Sequence, residues 1–223
     1  MDRPSWISEI LSLGWDLDGT LYRSFPGETE LTDMIRKRQL AAVASKQGWD
    51  LRRTQREYRK RYLELGSNTK TMTSFGIDGV DFFTSIWDEI DLKKYIQRDG
   101  RITELFERLP GKRHFLISNS NRIDQIEKKL HLIGLDPNVF ELIVSTVDLK
   151  AVKPDPKPFL VALEKLQLKP EQVLFIGDRV TTDVMGARGV GMRTCMVWSE
   201  SKAADISLAT VYDVGRLFRE GKT

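Results

Sequence analysis

The chain has one cysteine, two histidines and no long apolar run. A lone thiol, Cys195, cannot close an intrachain disulfide, so a reducing compartment is expected. Its place in the apolar run RTCMVW marks it as a core strand residue rather than a nucleophile. His114 and His131 stand apart from the acidic motifs, and two imidazoles do not compose a zinc site. No segment approaches the roughly 20 consecutive apolar residues that cross a bilayer. The first residues, MDRPSWISEI, lack the basic stretch and apolar run of a secretion signal. A cytoplasmic protein without a membrane partner is therefore expected. An excess of one charge is missing too, because 35 Lys and Arg against 32 Asp and Glu leave +3, too little to argue for nucleic acid.

What is present is an ordinary globular composition, with 40% hydrophobic and 30% charged residues over 223 positions. That length fits one large domain or one domain with an insert. Short apolar runs read as buried parallel strands at Leu11 to Trp15, His114 to Ile117, Leu142 to Val144, Val173 to Ile176 and Thr194 to Trp198. Helical patterns lie between the later runs, at Arg122 to Leu132, Lys157 to Leu166 and Thr182 to Gly189. This alternation predicts a doubly wound α/β sheet with right-handed crossovers. The interval from Tyr22 to about Gly100 shows helical periodicity and no convincing strand, so a helical insert is expected there, with linkers near Ser24 to Gly27 and Arg98 to Gly100. Within it Leu51, Tyr58, Tyr62 and Leu65 form one helix stripe, and Arg52, Arg56 and Arg59 form another that reads as a solvated face.

The segment WDLDGTL, Trp15 to Leu21, places two carboxylates two residues apart between an apolar run and a glycine turn. Residues i and i+2 of a strand point the same way, so Asp16 and Asp18 are expected to share one crevice at the sheet edge. Ligands of open α/β sheets bind beyond the carboxyl ends of the strands, which draws notice to the residues following each run. Ser118-Asn119-Ser120 follows the second, Lys153-Pro154-Asp155-Pro156 lies after the third, and Gly177-Asp178-Arg179 with Asp183 follows the fourth. Each cluster taken singly is also a common cap or turn; four at strand ends in this order are not.

With its motifs in that order, the chain resembles the haloacid dehalogenase superfamily of phosphohydrolases over essentially its whole length. The resemblance implies a Rossmann-like sheet ordered 5-4-1-2-3, a core of residues 1–21 and 101–223, and a helical C1-type cap of residues 22–100. Phosphoryl transfer from a monoester requires neutralised phosphoryl oxygens, an in-line attacker and a proton for the leaving oxygen. Asp16 is placed to attack phosphorus and form an aspartyl phosphate. Asp18 then serves as acid toward the leaving alcohol and as base toward the hydrolytic water. By the resemblance, Mg²⁺ is held by the Asp16 carboxylate, the Asp18 carbonyl and Asp178, with Asp183 as direct or supporting ligand. The resemblance also implies that Lys153 neutralises charge on the phosphoryl group, and that Ser118 and Asn119 bind a phosphoryl oxygen. The second aspartate favours phosphate chemistry over dehalogenation, because a halide leaves without a proton and the dehalogenase branch typically lacks that residue.

The substrate expected is a small phosphorylated metabolite, acted on by a monomer or homodimer. Residues 23–70 hold 12 Lys or Arg against six Asp or Glu, a basic bias suited to steering an anion. LGSNTKTMTSFGID, Leu65 to Asp78, with WDEIDLKKYIQRD, is similar to the cap of the pyrimidine 5′-nucleotidase-like branch. Asn68 and Lys70 are the candidate substrate contacts there, and Phe75, Phe82, Phe83 and Trp87 are read first as cap core and second as a base-stacking surface. A nucleoside 5′-monophosphate leads. A phosphoglycolate or sugar-phosphate phosphatase, a phosphomutase and a non-catalytic phospho-ligand binder stand as alternatives.

Overall fold

A computed structural model describes residues 4–23, 28–109, 111–119 and 121–218. The expected linker at Ser24 to Gly27, and Ser120, lie outside the described residues. Six parallel strands form one sheet: β1 (Ser12–Trp15), β2 (Arg113–Ser118), β3 (Leu142–Ser145), β4 (Val173–Gly177), β5 (Arg193–Val197) and β6 (Ile206–Leu208). Their order is β3-β2-β1-β4-β5-β6, the predicted arrangement read from its other edge, with β6 added beside β5. β6, Ile206–Leu208, is interrupted by Ser207 and so presents no continuous apolar run. Among the described residues, no helix is long and apolar enough to cross a membrane.

Alternation along the strands sends side chains to two helix-covered faces. Leu13, Trp15, Leu116, Leu174, Ile176 and Cys195 enter one core, which also takes residues of α5 (Gly100–Glu107) and α6 (Ile123–Ile133). Phe115, Ile117, Val173 and Phe175 enter the other, beneath α8 (Pro156–Leu166) and α9 (Met185–Gly189). Gly14 faces this second core because a Cβ there would stand 2.4 Å from the Phe115 ring and 2.6 Å from Phe175. The aromatic packing across β1 thus excludes any side chain at that position. Two single-turn helices, α7 (Thr146–Leu149) and α10 (Val214–Leu217), complete the frame.

Between β1 and β2 the chain forms α1 (Glu28–Gln47), α2 (Leu51–Leu65), α3 (Asn68–Ser74) and α4 (Gly79–Glu89). The starts of α2, α3 and α4 are set by side-chain caps: Asp50 accepts from the Arg53 amide, Ser67 from Lys70, and Asp78 from Val80 and Asp81. Val43, Met72 and Phe83 form a small core of these helices, with Phe75 and Phe82 packed on it. The helices also hold onto the sheet. Ile86 and Ile90 join the first core, Arg122 grips Asp88 at 2.9 and 3.0 Å, and Thr181 donates to the Gly66 carbonyl at 3.0 Å. The stripe expected to bury α2 does so only in part, with Tyr58 packed on the small core. Leu51 is 57% exposed, Thr54 is the fully buried residue of that helix, and much of α2 borders an open cavity. The second expected linker is the start of α5, where Asp99 caps the helix through the Arg101 amide.

One buried imidazole makes the fold sensitive to acid. The Trp15 indole N–H donates to His114 Nδ1 at 3.2 Å, and Phe106 packs on the same ring with centroids 4.9 Å apart. Burial pushes the His114 pKa down from 6.5 to about 4, so the folded protein holds this ring neutral where the unfolded chain protonates it. Its contribution is intact above pH 6.5 and is lost as pH falls toward 4. The loss amounts to about 3 kcal/mol. Urea unfolding of the wild type and His114→Gln between pH 7.5 and 4 checks this: the variant keeps an acceptor for Trp15 without a titrating group, so its stability should fall less with acid. Equal pH slopes would refute the assignment.

Candidate active site

The chain leaves β1 at Trp15, and the Asp16 amide still donates to the Ile176 carbonyl of β4 at 2.9 Å, so the first carboxylate starts from a rigid strand end. Leu17 turns into the core while Asp16 and Asp18 face the opposite side, as their spacing predicts, and both line one cavity. Gly19 makes the turn at φ +92°, and a Cβ there would stand 2.6 Å from an Asp178 carboxylate oxygen. Positive φ and close approach both require glycine at this point. Thr20 then donates back to Asp16 Oδ2 at 2.8 Å.

Lys153, 1% exposed, links two carboxylates on the cavity floor. Its ammonium donates to Asp16 Oδ1 at 2.7 Å and to Asp183 Oδ1 at 2.8 Å. Burial works to depress this ammonium, but the two carboxylates carry it up to about 12 and keep it charged. Asn119 braces the lysine backbone by accepting from its amide at 2.9 Å and donating to its carbonyl at 3.3 Å. The Arg179 amide donates to the second oxygen of Asp183 at 3.0 Å. Gly177 allows Asp183 this close, since a Cβ there would meet Asp183 Cβ at 2.3 Å.

Asp178 completes the floor. Carboxylate oxygens of Asp16, Asp178 and Asp183 all lie within 4.8 Å of one another. Burial pushes Asp16 up to about 6, with Asp183 adding to the shift and Lys153 opposing it. Burial, then the charges of Asp16 and Asp183, push Asp178 up to about 7. Three carboxylates with one buried ammonium leave negative charge unbalanced, and hard oxygen donors at this spacing suit a hard divalent cation. The residues therefore fit a metal such as Mg²⁺. The Asp18 carboxylate stands outside this cluster.

Asp18 is held elsewhere, by residues the sequence reading did not single out. Lys129 of α6, wholly buried, donates to Asp18 Oδ1 at 2.7 Å and to Asn121 Oδ1 at 2.6 Å. Asn121 donates to Asp18 Oδ2 at 2.7 Å, and the Tyr22 hydroxyl donates to Oδ1. Burial pushes Asp18 up, but Lys129, Tyr22 and Asn121 outweigh it and keep the carboxyl ionised below its ordinary range. The Lys129 ammonium also lies 3.6 Å from the ring centroid of Trp87 on α4, which ties this carboxylate to the helical insert. Nothing local marks Lys129 in the run EKKL; Asn121, two residues after Asn119, was the available hint.

The cavity above this floor holds about 1050 Å³. Asn119, Lys153 and Arg179 line it from the sheet side, and Asn68, Tyr58 and Trp87 from the helices. Asn68 accepts from the Tyr58 hydroxyl at 3.1 Å. Two expectations change. Lys70 does not line the cavity: two residues along α3 from Asn68, it lies well around the helix. Ser118, expected at a phosphoryl oxygen, is wholly buried behind Asn119, and its hydroxyl accepts from Asn121 at 2.8 Å. Arg52, Arg56 and Arg59, read as a solvated face, are exposed as expected, and they also line the open cavity together. Of the four aromatics considered, Phe83 and Trp87 reach the cavity, while Phe75 and Phe82 pack on the small helical core.

Known proteins share both the sequence and the shape. The chain is 40% identical over 95 residues to a glyceraldehyde 3-phosphate phosphatase of Pyrococcus furiosus, covering 42% of this chain and 38% of that protein. It is 37% identical over 70 residues to the pyrophosphatase PpaX of Halalkalibacterium halodurans, covering 31% and 32%. These matches span about a third of the length of the curated relatives. A haloacid dehalogenase-like family hydrolase from Streptococcus pneumoniae superimposes with TM-score 0.66 at 18% identity, over 95% of this chain and 100% of that one, which is a likeness of fold. The sequence profile of the haloacid dehalogenase-like hydrolases matches residues 13–191, from within β1 to beyond α9, and the chain belongs to that family.

Proposed function

We propose that the protein is a phosphatase that hydrolyses a small phosphomonoester through an aspartyl phosphate on Asp16. The observation that carries this reading is the joining of Asp16, Lys153 and Asp183 beside Asp178 on the floor of a cavity that Asp18 also lines. Sequence likeness to a phosphatase and a pyrophosphatase supports it. An Asp16 carboxylate oxygen attacks phosphorus while the bond from phosphorus to the ester oxygen breaks, and the departing alcohol takes a proton from Asp18. Water then attacks the phosphorus, its proton passes to Asp18, and Asp16 is released with inorganic phosphate.

The surroundings of Asp18 suit the second step first. Held ionised by Lys129, Asn121 and Tyr22, it is ready to accept a proton from water. To protonate a leaving oxygen it must first gain a proton, and an approaching phosphate dianion favours that by raising its proton affinity. Lys153 holds Asp16 and stands ready to meet charge on the phosphoryl oxygens. Asn119 sets the lysine's backbone, and Ser118 supports Asn121 from behind. Mg²⁺ held by Asp16 and Asp178, with Asp183 beside them, would neutralise phosphoryl oxygens and align the ester with its attacker. Within the phosphomonoesters, a nucleoside 5′-phosphate is supported by the aromatic side chains Tyr58, Tyr62, Phe83 and Trp87 on the cavity wall, where a base can stack.

Two outcomes are expected. Asp16→Asn removes the nucleophile and its charge but not its size, so phosphate release from p-nitrophenyl phosphate with Mg²⁺ should fall by about 10³ or more, with unchanged circular dichroism. A variant with near-normal turnover would rule out Asp16 as the attacker. Added Mg²⁺ should raise the melting temperature of the chelator-treated wild type in proportion to log concentration. Asp178→Asn should blunt that rise, while EDTA abolishes turnover. A melting temperature indifferent to Mg²⁺, or turnover in excess EDTA, would exclude the metal role. Phosphate release across nucleoside monophosphates, glyceraldehyde 3-phosphate and phosphoglycolate ranks the substrates.

A further inference from the structure

The cations of the helical wall divide by the direction they face. Arg38 of α1 and Arg61 of α2, which do not line the cavity, pair with Glu89 and Glu64, and Arg53 lies 4.6 Å above the Trp49 ring. Arg52, Arg56 and Arg59 follow one another along α2 at i, i+4 and i+7, and all three line the cavity with Lys60 and with Arg36 of α1. Arg56 meets the adjacent Glu57 at 3.0 Å. Among the described residues, Arg36, Arg52, Arg59 and Lys60 meet no carboxylate. Every acidic side chain lining the cavity belongs to the floor, as Asp16, Asp18, Asp178 or Asp183.

Such a wall is not the pattern of a solvated helix face, where charges of both signs are interspersed and pair at i,i+3 or i,i+4. Clustered like charges repel until an anion enters between them. The scissile phosphoryl group does not fill that place, because Asp16 and Lys153 hold it at the floor. With about 1050 Å³, the cavity is at the upper end for small-molecule sites and leaves room for a molecular body between floor and wall. A carboxylate offers one charge and two acceptor oxygens. A second phosphoryl group brings up to two charges and three acceptors, which matches several arginines better.

We infer that the helical wall is a second anion subsite, and that the substrate is a phosphomonoester bearing another phosphoryl group at its far end. This inference rests on the reading of the floor as a phosphatase site, so its test is made independent of turnover. In the Asp16→Asn protein with Mg²⁺, calorimetry compares fructose 1,6-bisphosphate with fructose 6-phosphate, and adenosine 3′,5′-bisphosphate with adenosine 5′-monophosphate. One bisphosphate should bind at least about tenfold more tightly than its partner, and which pair shows the difference tells a sugar from a nucleoside body. Adding Arg52→Gln and Arg59→Gln, both exposed positions whose replacement spares the core, should erase most of that preference, and 0.5 M NaCl should weaken it. Equal affinities within both pairs, or a preference that survives loss of both arginines, would overturn the subsite. Turnover of p-nitrophenyl phosphate by the wild type is read separately. Its absence would remove the phosphatase reading while a binding preference still upheld the subsite, and its presence without any preference would do the reverse.

Discussion

Lys153 carries a charge while only 1% exposed, and the two aspartates that share its ammonium are buried beside it. Neither side of this arrangement is tolerable alone. An isolated buried ammonium or carboxylate costs several kcal/mol, so Lys153 needs a carboxylate beside it, and Asp183 still supplies one when Asp16 is neutral. Their joining draws three chain segments onto one sheet edge: the turn after β1, the loop before α8 and the loop after β4. Glycine is needed wherever backbone must yield room, with Gly19 against Asp178 and Gly177 against Asp183. The lysine also leaves the floor short of positive charge. Burial first, and then the neighbouring carboxylate charges, push Asp16 and Asp178 up to about 6 and 7, and three carboxylates around one ammonium make the floor a place for a divalent cation.

A second buried pair connects the floor to the helices above it. Lys129 binds Asp18 and lies against Trp87, so one cation touches both the second aspartate and α4. The helical insert and the sheet are therefore joined at the carboxylate that the proposed chemistry uses twice. The walls of the cavity then differ in sign, acidic below and basic above, a dipolar layout suited to a ligand with anionic groups at both ends.

Much of this was legible in the chain before any coordinates. Apolar runs of three to five residues, broken by glycine and aspartate, identify five of the strands to within a residue at either end, because a strand buried on both faces leaves an apolar block. The i, i+2 spacing of Asp16 and Asp18 and the polar clusters at successive strand ends locate the floor, since strand geometry is local and repeats. β6 offers no such block, because Ser207 separates Ile206 from Leu208.

The remainder depended on packing between segments far apart in sequence. That Lys129 rather than Lys128 turns inward is set by how α6 lies on the sheet, 111 residues from the aspartate it binds. Ser118 and Lys70 have the right chemistry for a phosphate site, yet one is sealed behind Asn119 and the other lies around its helix from Asn68. The arginine face of α2 looks solvated from its own sequence, because amphipathicity reports which side is apolar and not what stands opposite. Local spacing determined the strands, the floor carboxylates and the family; which side chains meet across the cavity was decided by tertiary contacts, whose energies depend on burial and distance that no local pattern encodes.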